Sequence, residues 1–357
     1  MERWPELLLN KSRNSNRFDR IIKIALYVVL LLLVFTVILF TYEVTKKEAT
    51  ATSKSDLTDF AVDSGKQSSP DNDSEGNEST LEKSNIQTSN TGKNVKSTTD
   101  KLTRDIKKII QNERGSYSIS YQDTISNNNL VINPQKMTAA SMIKLFVMIE
   151  SYNQINEGVI NENEEITLTS SMKVGGTGSL SSRKDGTVLT IDQLIYLMIT
   201  QSDNTATNIL IDRITMDKIN TTVQKLGCLD TVLQRKMMDF KAQGEGKENY
   251  TSAADLCNIL TKLYKNECLG EKYDPMMIEI LKRQENNTKI PLLLPAGTVV
   301  AHKTGELDKV ENDAGIIFTP KGAYVLCVLS SGIVAGDART IIAKVSKVVY
   351  NDTLHTS

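Results

Sequence analysis

Histidine is almost absent from this chain. Among its 357 residues only His302 and His355 carry an imidazole, the second close to the C-terminus. A Ser-His-Asp triad would have to run through His302, and a zinc site built from several histidines is excluded. Cysteine is scarce as well. Cys228, Cys257, Cys268 and Cys327 include no C-x-x-C pair, so no zinc clip is expected, and Cys327 lies in an apolar run that reads as core. Free, buried thiols are the expected state. An excess of either charge is also lacking: 42 basic residues face 43 acidic ones, for a net charge of −1, so nothing points to nucleic acid. No metal and no cofactor are expected.

Long apolar runs are confined to one place. Residues 24–40 are unbroken except for Thr36, and Tyr42 extends the run at its edge. Seventeen residues is about the lower limit for a membrane span. Arg3, Lys11, Arg13, Arg17, Arg20 and Lys23 precede it, and mixed charges follow. That bias predicts a cytoplasmic tail over 1–23, a transmembrane anchor over 24–42 and everything later outside the cytoplasm. The expected location is the bacterial cell membrane, single-pass. No A-x-A-like site follows the run, which argues against a cleaved signal peptide. Residues 43–97 are rich in Ser, Thr, Asn, Asp, Glu and Lys without periodicity, and read as a polar, disordered linker.

A globular pattern begins at about residue 98 and runs to 355. Leu102, Ile106, Ile109 and Ile110 fall at helical spacing, with Gly115 as a stop signal. Tyr117, Ile119 and Tyr121 alternate as in a strand, and 130–132 can pair with it. Helices are expected at about 140–157, 190–200, 204–213, 216–226, 251–265 and 275–286. Strands follow at 299–303, 314–318 and 323–329, then a helix over 337–350. Strands at both ends with helices between them predict an α+β fold. Its antiparallel sheet is closed by late strands pairing with early ones and flanked by terminal helices, with an all-helical lobe inserted.

Three short strings carry the chemistry. The first is Ser141-Met142-Ile143-Lys144, an S-x-x-K pattern that also occurs at Ser170–Lys173 and Ser181–Lys184. Only the first opens an apolar helix, where Lys144 stacks beside Ser141 and free N–H groups face any developing charge. A serine hydroxyl needs a base, and Lys144 can be one only if burial or another cation lowers its proton affinity. The second string, Ser202-Asp203-Asn204, lies between two helical stretches. There a hydroxyl can pass a proton and an amide can hold a substrate, while Asp203 caps the following helix. The third, Lys303-Thr304-Gly305, ends a strand. It offers a cation and a hydroxyl for a carboxylate, and a glycine that lets a ligand lie against the strand edge. His302 is expected on the opposite face, as a structural residue. Taken alone, each of the first two strings reads as a helix N-cap.

In their order and intervals, the three strings resemble those of class A β-lactamases and penicillin-recognising serine hydrolases, over about residues 98–355. Gly175-Gly176-Thr177-Gly178 and Ala301-His302 agree with the likeness. The resemblance implies Ser141 as the acylated nucleophile, Lys144 as general base and Ser202 as proton relay. It implies Asn204 on the substrate side-chain amide, Lys303 and Thr304 on its carboxylate, and an oxyanion hole from the backbone N–H groups of Ser141 and Glu306. The implied partner is a β-lactam or a peptidoglycan peptide ending in D-Ala-D-Ala.

The family's R-x-E-x-x-L-N segment maps onto Arg235 to Lys241, with Met237 in place of the glutamate that activates deacylating water and Lys241 in place of the asparagine. Asp239 is the one nearby carboxylate that could substitute. The loop closes on Asn249, where the family usually has an aspartate facing the arginine, and a looser loop follows if the Arg235 ion pair is missing. Asp313-Ala314 supplies no arginine to second Lys303. A membrane-anchored serine hydrolase acylated at Ser141, with doubtful β-lactam turnover, is the leading reading. A cell-wall DD-peptidase and a non-catalytic cell-wall or antibiotic-binding module are the alternatives.

Overall fold

The computed structural model describes residues 91–126 and 128–356. Residues 24–42, to which the membrane span was assigned, lie outside them, as does most of the polar linker. Among the described residues no helix is long and apolar enough to cross a membrane. The two longest, Thr91–Ile110 and Ala335–Thr356, carry charges along their length. The expected location, a single-pass protein of the cell membrane, is corrected accordingly.

The described residues open with α1 (Thr91–Ile110), which begins before the expected start at 98. Once nucleated by its buried stripe, a helix adds turns cheaply. Next come β1 (Ser116–Asp123), β2 (Asn129–Ile132), β3 (Lys136–Thr138), a 3-10 turn (Ala140–Ile143) and α2 (Lys144–Asn156). The lobe continues through β4 (Glu165–Thr167), β5 (Val188–Thr190), α3 (Ile191–Thr200), α4 (Asn204–Ile214), α5 (Met216–Lys225) and α6 (Phe240–Gly244). After β6 (Tyr250–Ser252), α7 (Ala253–Tyr264) and α8 (Tyr273–Leu281), three long strands close the sheet. They are β7 (Val299–Leu307), β8 (Val310–Thr319) and β9 (Gly322–Ser331), and α9 (Ala335–Thr356) follows.

The main sheet has the order β2-β1-β9-β8-β7 and every pairing is antiparallel. Late strand β9 lies against early strand β1, with Tyr121 opposite Leu326. Alternation along β9 splits its side chains between two cores. Val325, Cys327 and Leu329 join the helical lobe, while Tyr324, Leu326 and Val328 pack under α1 and α9 with Leu102, Ile106, Ile342 and Val345. Both faces are covered, so the strand reads as a continuous apolar run. The paired ribbons β3–β6 and β4–β5 have three residues per strand, too few for alternation to show in the sequence.

Helix starts follow local chemistry. Thr190 caps α3 in a reciprocal box with Gln193, Ser252 caps α7, and Asp203 caps α4 as expected. The expected helix over 275–286 ends at Leu281, and the chain beyond it turns so that Gln284 donates to the Ile199 carbonyl. That turn sets the approach to β7 and one wall of the cleft.

Candidate active site

Ser141 sits in the 3-10 turn rather than in the first turn of an α-helix, which begins at Lys144. Ala140 has a φ of 49° and starts the turn, and the wholly buried Met142 and Ile143 anchor it in the core. Among the described residues the Ser141 hydroxyl makes no hydrogen bond, and it faces a cleft of about 920 Å³. Asn312 on β8 holds the chain entering the turn, its Nδ2 donating to the carbonyls of Thr138 (3.1 Å) and Ala139 (3.4 Å). A Cβ on Gly305 would stand 3.2 Å from the Ala139 oxygen and 3.3 Å from the Ala140 Cβ. The smallness of Gly305 therefore serves the approach of β7 to the Ser141 turn.

Lys144 is fully buried beneath the cleft. Its Nζ donates to the Ser202 carbonyl at 2.6 Å and to Asn204 Oδ1 at 2.8 Å, and lies 3.2 Å from Ser202 Oγ. Asn204 Nδ2 donates to the Gly175 carbonyl, which fixes the amide with its oxygen toward Lys144. Lys303, also fully buried, approaches the same hydroxyl from the other side: its Nζ donates to Ser202 Oγ at 3.0 Å and to the Thr304 carbonyl at 2.7 Å. Burial, and then the Lys303 charge, push Lys144 well below the ordinary lysine range, against a smaller opposing pull from Asp203. Burial and the neighbouring Lys289 bring Lys303 down to about 7, with Asp313 and Glu306 opposing.

Two pure acceptors, the Ser202 carbonyl and Asn204 Oδ1, each take a hydrogen from Lys144. A neutral amine in this position would keep its lone pair for a hydroxyl proton. Ser202 itself has a φ of 54°, in the left-handed region that a serine rarely adopts, and the surrounding loop holds it there. Thr177 Oγ1 donates to the Ser202 carbonyl (2.6 Å), and the Thr177 carbonyl accepts from the Asn204 N–H. Gly178 (φ 100°) has no room for a side chain, because a Cβ there would stand 2.2 Å from Asp203 Oδ2.

The wall opposite comes from residues 235–249. Met237 is buried, 8% exposed, and lines the cleft, its backbone N–H and carbonyl clamped by the Asn208 amide at 2.8 and 3.0 Å. Met238 has a φ of 61° and reaches across to Gly176, where a Cβ would meet its sulfur at 3.1 Å. Asp239 caps α6, its Oδ1 accepting from the Ala242 N–H, and does not line the cleft. Arg235 has its ion pair, so the condition for a looser loop is not met. Arg235 finds Glu248 instead of residue 249 and forms a two-pronged pair (Nε–Oε1 and Nη2–Oε2, both 3.0 Å). Asn249 accepts from the backbone N–H groups of Gln234 and Arg235 and donates to the Arg235 carbonyl. The loop is fastened twice.

Thr304 and Glu306 border the cleft from β7. His302 points away from Lys303, its Nδ1 2.9 Å from Asp313 Oδ1 and its Nε2 3.3 Å from Asn287 Oδ1. Sequence reasoning missed Lys289, Glu311, Asn312 and Glu248. Of these only Glu248 had a signal, as the carboxylate next to the position expected to face Arg235.

A model of the beta-lactamase enzyme family matches residues 101–353. The chain belongs to that family. It is a β-lactamase-like serine hydrolase, and its mixed helical and antiparallel architecture is that of the family's solved structures. The extended-spectrum beta-lactamase PER-1 of Pseudomonas aeruginosa is 24% identical over 265 residues, covering 70% of this chain and 86% of that one. The solved structure of PBP-A is 28% identical with a TM-score of 0.66, over 71% of this chain and 96% of that one. A leucine-to-glutamate variant of PBP-A, solved as an acyl-enzyme complex with penicillin G, is 27% identical with the same TM-score, over 72% and 97%.

Proposed function

We propose that this family member, through a catalytic unit spanning about 98–355, forms an acyl-enzyme at Ser141 with β-lactams or D-Ala-D-Ala-like amides and releases it slowly. One observation carries the reading. Two buried lysines converge on Ser202 Oγ beside a cleft lined by Ser141 and by Met237, the residue that the family likeness sets at the position of the water-activating glutamate.

In this reading Lys144, neutral at rest, takes the proton of Ser141 as Oγ bonds to the substrate carbonyl carbon. The backbone N–H groups of Ser141 and Glu306 hold the oxyanion. The proton passes from Lys144 through Ser202 to the leaving nitrogen as the C–N bond breaks. Lys303 and Thr304 hold the substrate carboxylate and Asn204 its side-chain amide. Release requires water to add to the ester. The Met237 thioether accepts no proton, and Asp239, spent as a helix cap, stands outside the cleft lining. The likeness to PBP-A favours a second reading within the same chemistry, a cell-wall peptidase whose natural acyl donor is a peptidoglycan peptide.

The test is incubation of the full chain and its Ser141→Ala variant with a fluorescent penicillin, a chromogenic cephalosporin and a D-Ala-D-Ala peptide. A stable Ser141-dependent adduct with little cephalosporin turnover is expected, and peptide cleavage selects the peptidase. Sustained cephalosporin turnover overturns the slow-release reading. Equal labelling of both proteins, or of neither, overturns acylation at Ser141.

A further inference from the structure

Beside Lys303-Thr304-Gly305, toward the end of β7, lies a charged cluster that none of the three strings contains. Glu306 on β7 and Glu311 on β8 are directly opposite in the register, an arrangement of like charges that weakens a sheet. Lys289, wholly buried in the connection between α8 and β7, bridges them: its Nζ is 3.0 Å from Glu306 Oε1 and 2.7 Å from Glu311 Oε2. The same ammonium donates to the carbonyls of Gly305 (3.3 Å) and Asn312 (3.2 Å), the adjacent cross-strand pair. Arg339 on α9 completes the cluster from outside, its Nε donating to Glu311 Oε1 at 2.9 Å. Asn286 adds a bond to Glu306 Oε1.

Three of the four residues that Lys289 grips bear on the acylation geometry. Glu306 supplies one proposed oxyanion N–H. Gly305 packs against the turn that supplies the other, and Asn312 ties that turn to β8. We infer that Lys289 is a positioning residue for acylation, setting the distance between the Glu306 strand and the Ser141 turn while touching no substrate. The inference rests on the acyl-enzyme reading above.

An electrostatic consequence separates this role from mere stability. The groups facing Lys303 are Lys144 on α2, Ser202 in the loop between α3 and α4, Asp313 on β8, Glu306 on its own strand, and Lys289. Lys289 is the larger of the effects that neighbouring charges exert on Lys303's proton affinity, and it lowers it. Removing Lys289 therefore raises Lys303's proton affinity and keeps it cationic to higher pH.

The experiment compares second-order acylation of the full chain by a fluorescent penicillin, across pH, in wild type, Lys289→Met and the double variant K289M/E311M. The double variant guards against misfolding, since it leaves no unpaired carboxylate at Glu311. A folded double variant is expected to acylate about tenfold or more slowly, within the range for weakening one oxyanion donor. Its alkaline decline is expected at higher pH than in wild type. A wild-type rate with a wild-type pH profile in the folded double variant overturns the positioning role. Absence of labelling in wild type instead overturns the acyl-enzyme reading on which it rests.

Discussion

At the residue scale, the site depends on the protonation of two lysines held under one hydroxyl. Acylation in the proposed scheme needs Lys144 neutral and Lys303 charged. Lys303 sits at about 7 instead of the ordinary lysine value because it is buried beside Lys289. As pH rises through that value Lys303 loses the proton that anchors a carboxylate, so the second-order acylation constant should fall above about pH 7. Lys303→Arg should retain reduced acylation without that decline, since a guanidinium stays charged. Parallel pH profiles with the same alkaline limb would sink the assignment. In the proposed scheme Met237 governs the other half of the cycle. Met237→Glu, on a backbone already clamped by Asn208, should shorten the adduct's lifetime about 100-fold, as expected when a general base is installed. The decay of the fluorescent adduct measures it. The three strings were legible in the sequence because each packs its chemistry into three or four consecutive residues. Lys289 and Asn312 were not. Each acts through contacts between distant segments, and a lone Lys or Asn with no spacing partner looks like surface.

At the element scale, the loop over 235–249 shows what pattern matching misjudges. The family pattern sets the acidic partner of Arg235 at residue 249, where this chain has Asn. The structure shifts the partner by one, to Glu248, and uses the Asn249 side chain to bind the backbone across the loop. Arg235 is nearly buried, so Glu248→Gln leaves a cation without its counter-charge. That should cost about 3 kcal/mol in urea unfolding, the range for breaking a buried pair from one side. A change of only a few tenths would mean that the pair is solvated. Helices were legible from their apolar periodicity and caps. The lengthening of β7 to Leu307 was not, since Thr304 and Glu306 look like loop residues until β8 is seen beside them.

At the scale of the whole molecule, one sheet separates two cores, and the alternation along β9 feeds both. The expectation of strands from the two ends meeting with a helical lobe between them describes this architecture. Its physical basis is plain: apolar runs at both ends have to cover the same two layers. The four cysteines are free thiols, three of them buried, and contribute as small apolar groups. The melting temperature of the purified protein should therefore be the same with and without a reductant. A drop of several degrees on reduction would reveal a cross-link.

The pairing of β1 with β9 also sets a timetable. Thr124 bonds to the Ala323 carbonyl across 199 residues of chain. At usual rates of synthesis those residues take roughly 10–40 s to emerge. Through that interval the first hairpin has no neighbour along one edge, and Lys303 has not yet met Ser202. In the proposed scheme a nascent chain thus carries Ser141 long before it carries a reactive centre. The enzyme becomes chemically competent at about the moment it becomes structurally complete, and ribosome-bound chains ending before β9 should be inert to penicillin.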